Sequence, residues 1–118
     1  GVHVDGDKLI VAAWGAMEPY FSTKTPGSRL ADHIADKSIT NLGNGTPVGN
    51  LDGIDPYDAD SFIVSYWVGG KVFRISLSGE AKVLLSLSQG TADLNYDAAT
   101  RTAYIPLMVD GKVVAYKF

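Results

Sequence analysis

The sequence has no cysteine. That removes disulfides, thiolate nucleophiles and cysteine metal sites together. Histidine is scarce, with only His3 and His33. Charge is sparse: 19% of residues are Asp, Glu, Lys or Arg, and the net charge is −3. No run of Lys or Arg is long enough to track a phosphate backbone, which argues against nucleic acid as a partner. The longest apolar runs are about four to seven residues, far below the length of a membrane-spanning helix. No Gly-x-Ser-x-Gly elbow occurs, so the many serines carry no hydrolase signal. No stretch shows a convincing helical period. Leu30-Ala-Asp-His-Ile-Ala35 could be mistaken for one, but its place in the repeat described below predicts a strand.

What is present is an apolar, repetitive chain. Of its 118 residues 46% are apolar, which fits one globular domain over residues 1–118. A chain of this size can bury roughly 65% of its extended surface. Leu51 to Leu77 and Thr91 to Phe118 are two copies of one unit. Each has a short apolar strand, an Asp-rich turn, a longer apolar strand, a Gly-Lys turn and an alternating strand. Ile54 matches Leu94, and Lys71-Val72 matches Lys112-Val113. The period is about forty residues, the range of β-propeller blades. Val2 to Gly15 begins a third copy, with Val2 in the place of Ile54 and Asp5-Gly-Asp-Lys8 as a hairpin turn.

Read in order, the first blade spans 1–45, the second 46–88, and a partial third 89–118. In the first, Arg29–Ala35 and Ser38–Leu42 supply the third and fourth strands, joined at Asp36-Lys37. Gly15 to Ser28 is expected to be a long loop, with Pro19, Pro26 and Gly27. Such an insertion on a repeat scaffold is a candidate for function. Asn41 to Asn50 is glycine-rich, but no Gly-Lys-Ser/Thr and no helix follows, so it is not a phosphate cradle. Lys82–Leu87 is the second blade's fourth strand. The third blade stops at its third strand, Lys112–Phe118. The fold class expected is therefore all-β, with about three four-stranded antiparallel blades and the last lacking its outer strand. The chain starts directly on a strand pattern, with no charged leader or apolar signal segment. That fits either a removed leader or a piece of something longer.

Up-and-down connectivity sorts the turns onto two ends. One end collects Asp52, Asp93, Trp14, Trp67, Tyr66, Met108 and the 15–28 segment. The other collects solvated turns such as Tyr57–Ser61, Asp97–Arg101 and Ser78–Glu80. The first strand of a blade is innermost, so Asp52 and Asp93 are expected at the mouth of a central channel. Carboxylates there suit a hard divalent cation, and aromatics around them suit a small organic ligand. His3, Asp55 and Asn95 hold equivalent inner-strand positions and are expected to line the channel. Asp55, Asp58 and Asp60 lack the Gly and the bidentate Glu of a calcium loop and read as a turn. His33 lies farther out and reads as structural. Trp14 and Trp67 read as packing residues whose edges reach the mouth.

At Leu51-Asp-Gly-Ile54, Phe62-Ile-Val-Ser-Tyr-Trp67 and Gly69-Gly-Lys-Val-Phe-Arg-Ile75, the sequence resembles the senescence marker protein/gluconolactonase family. These regucalcin-related proteins are six-bladed propellers. The stretch from Thr91-Ala-Asp-Leu-Asn-Tyr-Asp97 to Lys112-Val-Val-Ala-Tyr-Lys-Phe118 looks like the carboxyl end of an exported branch. The resemblance implies the carboxyl-terminal half of a six-bladed ring and a periplasmic or secreted setting. It implies one divalent cation, calcium or zinc, per completed channel, with Asp52 as a ligand. The family's other two ligands, an Asn and a Glu, have no counterpart here. The function implied is metal-dependent hydrolysis of a small lactone or ester, once a second copy or an amino-terminal half completes the ring. The alternative is a non-catalytic half-propeller that binds a ligand or protein, with assembly as its main property. Asp52 and Asp93 are the candidate metal ligands. Trp14, Tyr66, Trp67, His3, Asp55, Asn95 and Met108 are the candidate ligand-binding residues.

Overall fold

Aspartates fix where several strands turn. Asp36, Asp58 and Asp97 each accept a backbone N–H from two residues on, at Ser38, Asp60 and Ala99. These side-chain turns replace a backbone turn. Hydrogen bonds hold all three carboxyls below the usual range: chiefly the Ser38 N–H for Asp36, the Ser61 hydroxyl for Asp58 and the Thr100 hydroxyl for Asp97. Asp58 is thereby committed to its turn and is further tied to Arg74 at 2.5 Å.

In the computed structural model, residues 1–43, 45 and 47–118 are described, Phe21 by its backbone alone. The glycine-rich 41–50 segment therefore falls partly outside the described residues, at Asn44 and Thr46. The chain is all-β. Among the described residues there is no α-helix, only a single 3-10 turn at Pro19–Phe21. The strands are β1 (Val2–Asp5), β2 (Lys8–Ala12), β3 (Gly15–Met17), β4 (Thr23–Pro26), β5 (Arg29–His33), β6 (Ile39–Asn41) and β7 (Leu51–Asp58). They continue as β8 (Ser61–Tyr66), β9 (Lys71–Ser76), β10 (Ala81–Ser86), β11 (Asn95–Asp97), β12 (Thr102–Leu107) and β13 (Lys112–Lys117).

The first sheet runs β1-β2-β5-β6, the second β7-β8-β9-β10 and the third β11-β12-β13. Every pairing is antiparallel. The expected loop at 15–28 differs from this structure. It forms a small hairpin, β3 paired with β4. Tyr20 sits in its tip at φ 63°, a left-handed conformation that the sequence does not advertise.

The second sheet is the middle layer. Alternate residues of a strand point to opposite faces. Ile54, Phe62, Val64, Phe73 and Ile75 pack with Ile10, Ala12 and Ala31 of the first sheet. Ile63 and Val72 pack the other way, with Leu94, Tyr96, Ala103, Ile105 and Leu107 of the third-sheet segment. At the edge of that second junction Tyr57 stacks on Tyr96 at 5.1 Å, with Phe118 edge-on to Tyr57 at 6.1 Å. Tyr57, expected in a solvated turn, is thus part of the packing.

Ile63 is 0% exposed, between two sheets. Ile63→Ala is expected to lower unfolding free energy by about 2–5 kcal/mol. Val83→Ala, on the exposed face of β10, should change it by less than about 0.5 kcal/mol. Urea denaturation of the two variants beside the parent checks the contrast.

Candidate functional site

The inner strands approach unusually closely. A Cβ added to Gly1 would fall against the backbone of Asp52 and Gly53, and one added to Gly53 would fall against Asp93 and Leu94. Gly1, Gly53 and Asp93, the register equivalents, therefore stack one over the next. Only glycine lets two backbones meet so closely at the first two levels.

A bulge re-aims this stretch. Leu51 pairs with Tyr66 and Ile54 with Val64, so β7 carries one extra residue at Asp52-Gly53. The fully buried Ser65 fills the gap, its Oγ accepting the Gly53 N–H at 2.7 Å. Asp52 is half-buried beside the exposed Asp93. Burial pushes the Asp52 carboxyl above its ordinary range; the Gly1 amine opposes this, and the charge of Asp93 adds to it. Asp93 itself has an oxygen 3.1 Å from the Leu94 N–H.

A second grouping crosses all three sheets. Asp55 Oδ2 accepts the Tyr96 N–H at 2.8 Å and the Asn95 Nδ2 at 3.3 Å. On its other side Asp55 Oδ1 lies 3.7 Å from His3 Nδ1. The three equivalent inner-strand residues therefore form one polar row, His3–Asp55–Asn95. The His3 ring also lies 6.4 Å from that of Phe62.

The third grouping is aromatic. Trp14 and Trp67 tilt against each other at 5.7 Å. The buried Asn50 anchors them: its carbonyl accepts the Trp67 N–H at 3.0 Å, and its Nδ2 donates to the Trp14 carbonyl at 3.2 Å and to Thr23 Oγ1. Thr23 opens β4, so Asn50 also ties down the hairpin. Gly27 N–H adds a bond to the Gly49 carbonyl at 2.9 Å. Trp14 Nε1 is buried with no hydrogen-bond partner among the described residues.

Two candidate residues stand apart. Tyr66 stacks on Phe73 at 6.1 Å and packs against Gly49 and Gly69, so its ring belongs to the core. Met108 is exposed at the end of β12. Ser65 and Asn50 have no signal in the sequence, since their roles depend on a bulge and on a long-range loop contact. A cleft of about 220 Å³ lies near the far turns, lined by Asp60, Arg74, Ser76, Glu80 and Lys82. Its charges balance, and it begins a strand's length from Asp52.

No group of three or more His, Asp or Glu converges to hold a metal ion among the described residues. Asp52 and Asp93 offer two carboxylates. Calcium takes about six to eight oxygens, and a catalytic zinc about three protein ligands. The chain's own described donors do not complete either set.

The raised Asp52 pKa has a definite sign. The folded state holds that proton more tightly than the unfolded one, so this contribution is present below the ordinary carboxylate pKa of about 3.9 and is lost as pH rises through the folded value. Asp52→Asn is therefore expected to raise the melting temperature at pH 7, with the gain vanishing near pH 3. Thermal melts across that range read it directly.

Compared with known proteins, the chain matches no family model, no curated protein and no solved structure.

Proposed function

We propose that this chain is one arc of a β-propeller, half of a six-bladed ring, and that its ligand-binding end is where Asp52 and Asp93 meet. The observation that carries the reading is the pair itself. A bulge and a glycine contact bring two carboxylates together, one of them half-buried, at the junction of two inner strands. Acids whose pKa is shifted by burial and a neighbouring charge cluster at functional sites. The sheet order supports the arc: each sheet is an up-and-down meander, and β1 and β11 both lie against β7.

The activity proposed for the completed ring is hydrolysis of a small lactone or ester. A divalent cation, calcium or zinc, bound by Asp52 with donors from the completing chain, would supply carbonyl polarisation and water activation there. His3, Asp55 and Asn95 line the neighbouring inner wall. Asp52→Asn is expected to reduce hydrolysis of a lactone panel by at least about tenfold, and to weaken calcium or zinc binding by titration. Unchanged turnover and unchanged binding in that variant would remove Asp52 from the site.

A second reading, binding without catalysis, is favoured by the Trp14–Trp67 pair. Trp14 Nε1 is a buried donor with no partner among the described residues, and the β3–β4 hairpin beside it presents an exposed Tyr20. A ligand carbonyl or hydroxyl would satisfy that donor. Replacing residues 16–25 by a short turn is expected to abolish any lactone- or sugar-dependent change in tryptophan fluorescence, with the parent β-sheet circular dichroism retained.

A further inference from the structure

The stack of three sheets has a direction. At each junction two non-equivalent faces of the repeat meet. The second sheet turns Ile54, Phe62, Val64, Phe73 and Ile75 toward Ile10, Ala12 and Ala31 of the first. The third turns Leu94, Tyr96, Ala103, Ile105 and Leu107 toward Ile63, Val72 and Leu85 of the second, beside the buried Ser65. The register shows what is left over. Val2, Val4, Leu9, Val11, Leu30 and Ile39 share the outer face of the first sheet. Those positions match the face that the other two sheets turn toward the preceding sheet. Tyr104, Pro106, Val113 and Ala115 share the outer face of the third sheet, with Asn95. Those positions match the face that the other two sheets turn toward the following sheet. Val4 is 63% exposed and Val113 67% exposed.

The two free faces are thus equivalent to the two sides of a junction that already occurs twice in the chain. The polar row repeats the argument independently. His3 meets Asp55, and Asp55 meets Asn95, each reaching the equivalent residue of the next sheet. Asn95 lies on the free face of the third sheet, and the residue equivalent to its missing neighbour is a His3.

We infer that the occupant of both faces is a second copy of this chain, the first sheet of each copy seated on the third sheet of the other. Two such contacts related by a two-fold axis close a ring of roughly six sheets, within the range of closed propellers. His3 of each copy then meets Asn95 of the other, and the inner wall is complete only in the pair. The inference rests on the arc reading above. It adds the partner's identity and the pairing of faces.

Light scattering on the purified chain tests it, with no metal or ligand added. The expected mass is two copies, unchanged over about a 100-fold range of concentration. Val4→Arg and Val113→Glu each place a charge on an apolar contact and are expected to weaken association at least about 100-fold. Both positions are exposed, and circular dichroism should show both variants folded. Mixing the two variants leaves one contact intact and sets Arg against Glu in the other, so the two-copy mass should return. A parent that stays monomeric overturns the inference and points to an amino-terminal half instead. A mass that climbs with concentration overturns the closed ring. A Val113→Glu variant that still pairs overturns the face assignment. The two readings fail separately: a two-copy ring that binds neither cation nor lactone defeats the proposed function alone, whereas a monomer with an intact Asp52-dependent site defeats only this inference.

Discussion

Strand β8 is buried on both faces, and the rest of the fold depends on that. It lies between β7 and β9 within its sheet and between the first and third sheets across it. A strand so placed cannot alternate apolar with polar, so Phe62-Ile63-Val64 is a continuous apolar run. Area bookkeeping assigns about 1.5–3 kcal/mol to each such side chain buried. The sheets on either side are held chiefly by this one layer. Ser65 is the exception in the run, and its hydroxyl is satisfied by the Gly53 N–H at 2.7 Å. That single bond couples the core strand to the bulge that positions Asp52.

The carboxylate pair and the packing therefore have one origin. The first strands of the three sheets come close, with β1 and β11 both against β7. Gly1 and Gly53 remove the Cβ atoms that would prevent it. The same closeness places Asp52 beside Asp93 and threads Asp55 between His3 and Asn95. Like charges at such a point oppose folding, and the half-buried Asp52 loses hydration as well. A core alone would not select this arrangement. Its presence at the convergence point of the strands is what gives the site its functional reading.

Much of this was legible in the sequence because it repeats. The matches Ile54 with Leu94 and Lys71-Val72 with Lys112-Val113 predicted the strand order. The equivalence of His3, Asp55 and Asn95 predicted a shared inner position, and the structure places the three in contact. What does not repeat was not legible. The β3–β4 hairpin has no counterpart in the other units, and its left-handed Tyr20 replaces the glycine or asparagine that would announce a turn. The bulge at Asp52-Gly53 leaves no pattern, because one extra residue in a strand looks like a short loop. Asn50 reads as a turn residue, yet it is buried and joins two tryptophans to the hairpin. Ser65 and Asn50 were missed because each acts through a contact distant in sequence.

Arg29 shows why packing by size is not enough. It opens β5 on the face of the first sheet that meets the second, yet it is only 3% exposed. Its Nη2 donates to the Ser76 carbonyl at 2.8 Å across the junction, while Nη1 has no partner among the described residues. Burial pulls its pKa down from the ordinary value. A guanidinium held by one carbonyl is a costly way to fill space. Its long apolar stem suits the room left by Ala12 and Ala31, but a leucine would fill that room without the charge. What the arginine adds is direction. Apolar faces of large and small residues can slide past each other at little cost, whereas the bond to Ser76 fixes how the first sheet sits on the second. The Tyr57–Tyr96–Phe118 contacts fix the second junction in the same way, through ring geometry. Each junction thus combines a non-directional layer with directional contacts, the second also through the Asp55 bonds to Asn95 and Tyr96.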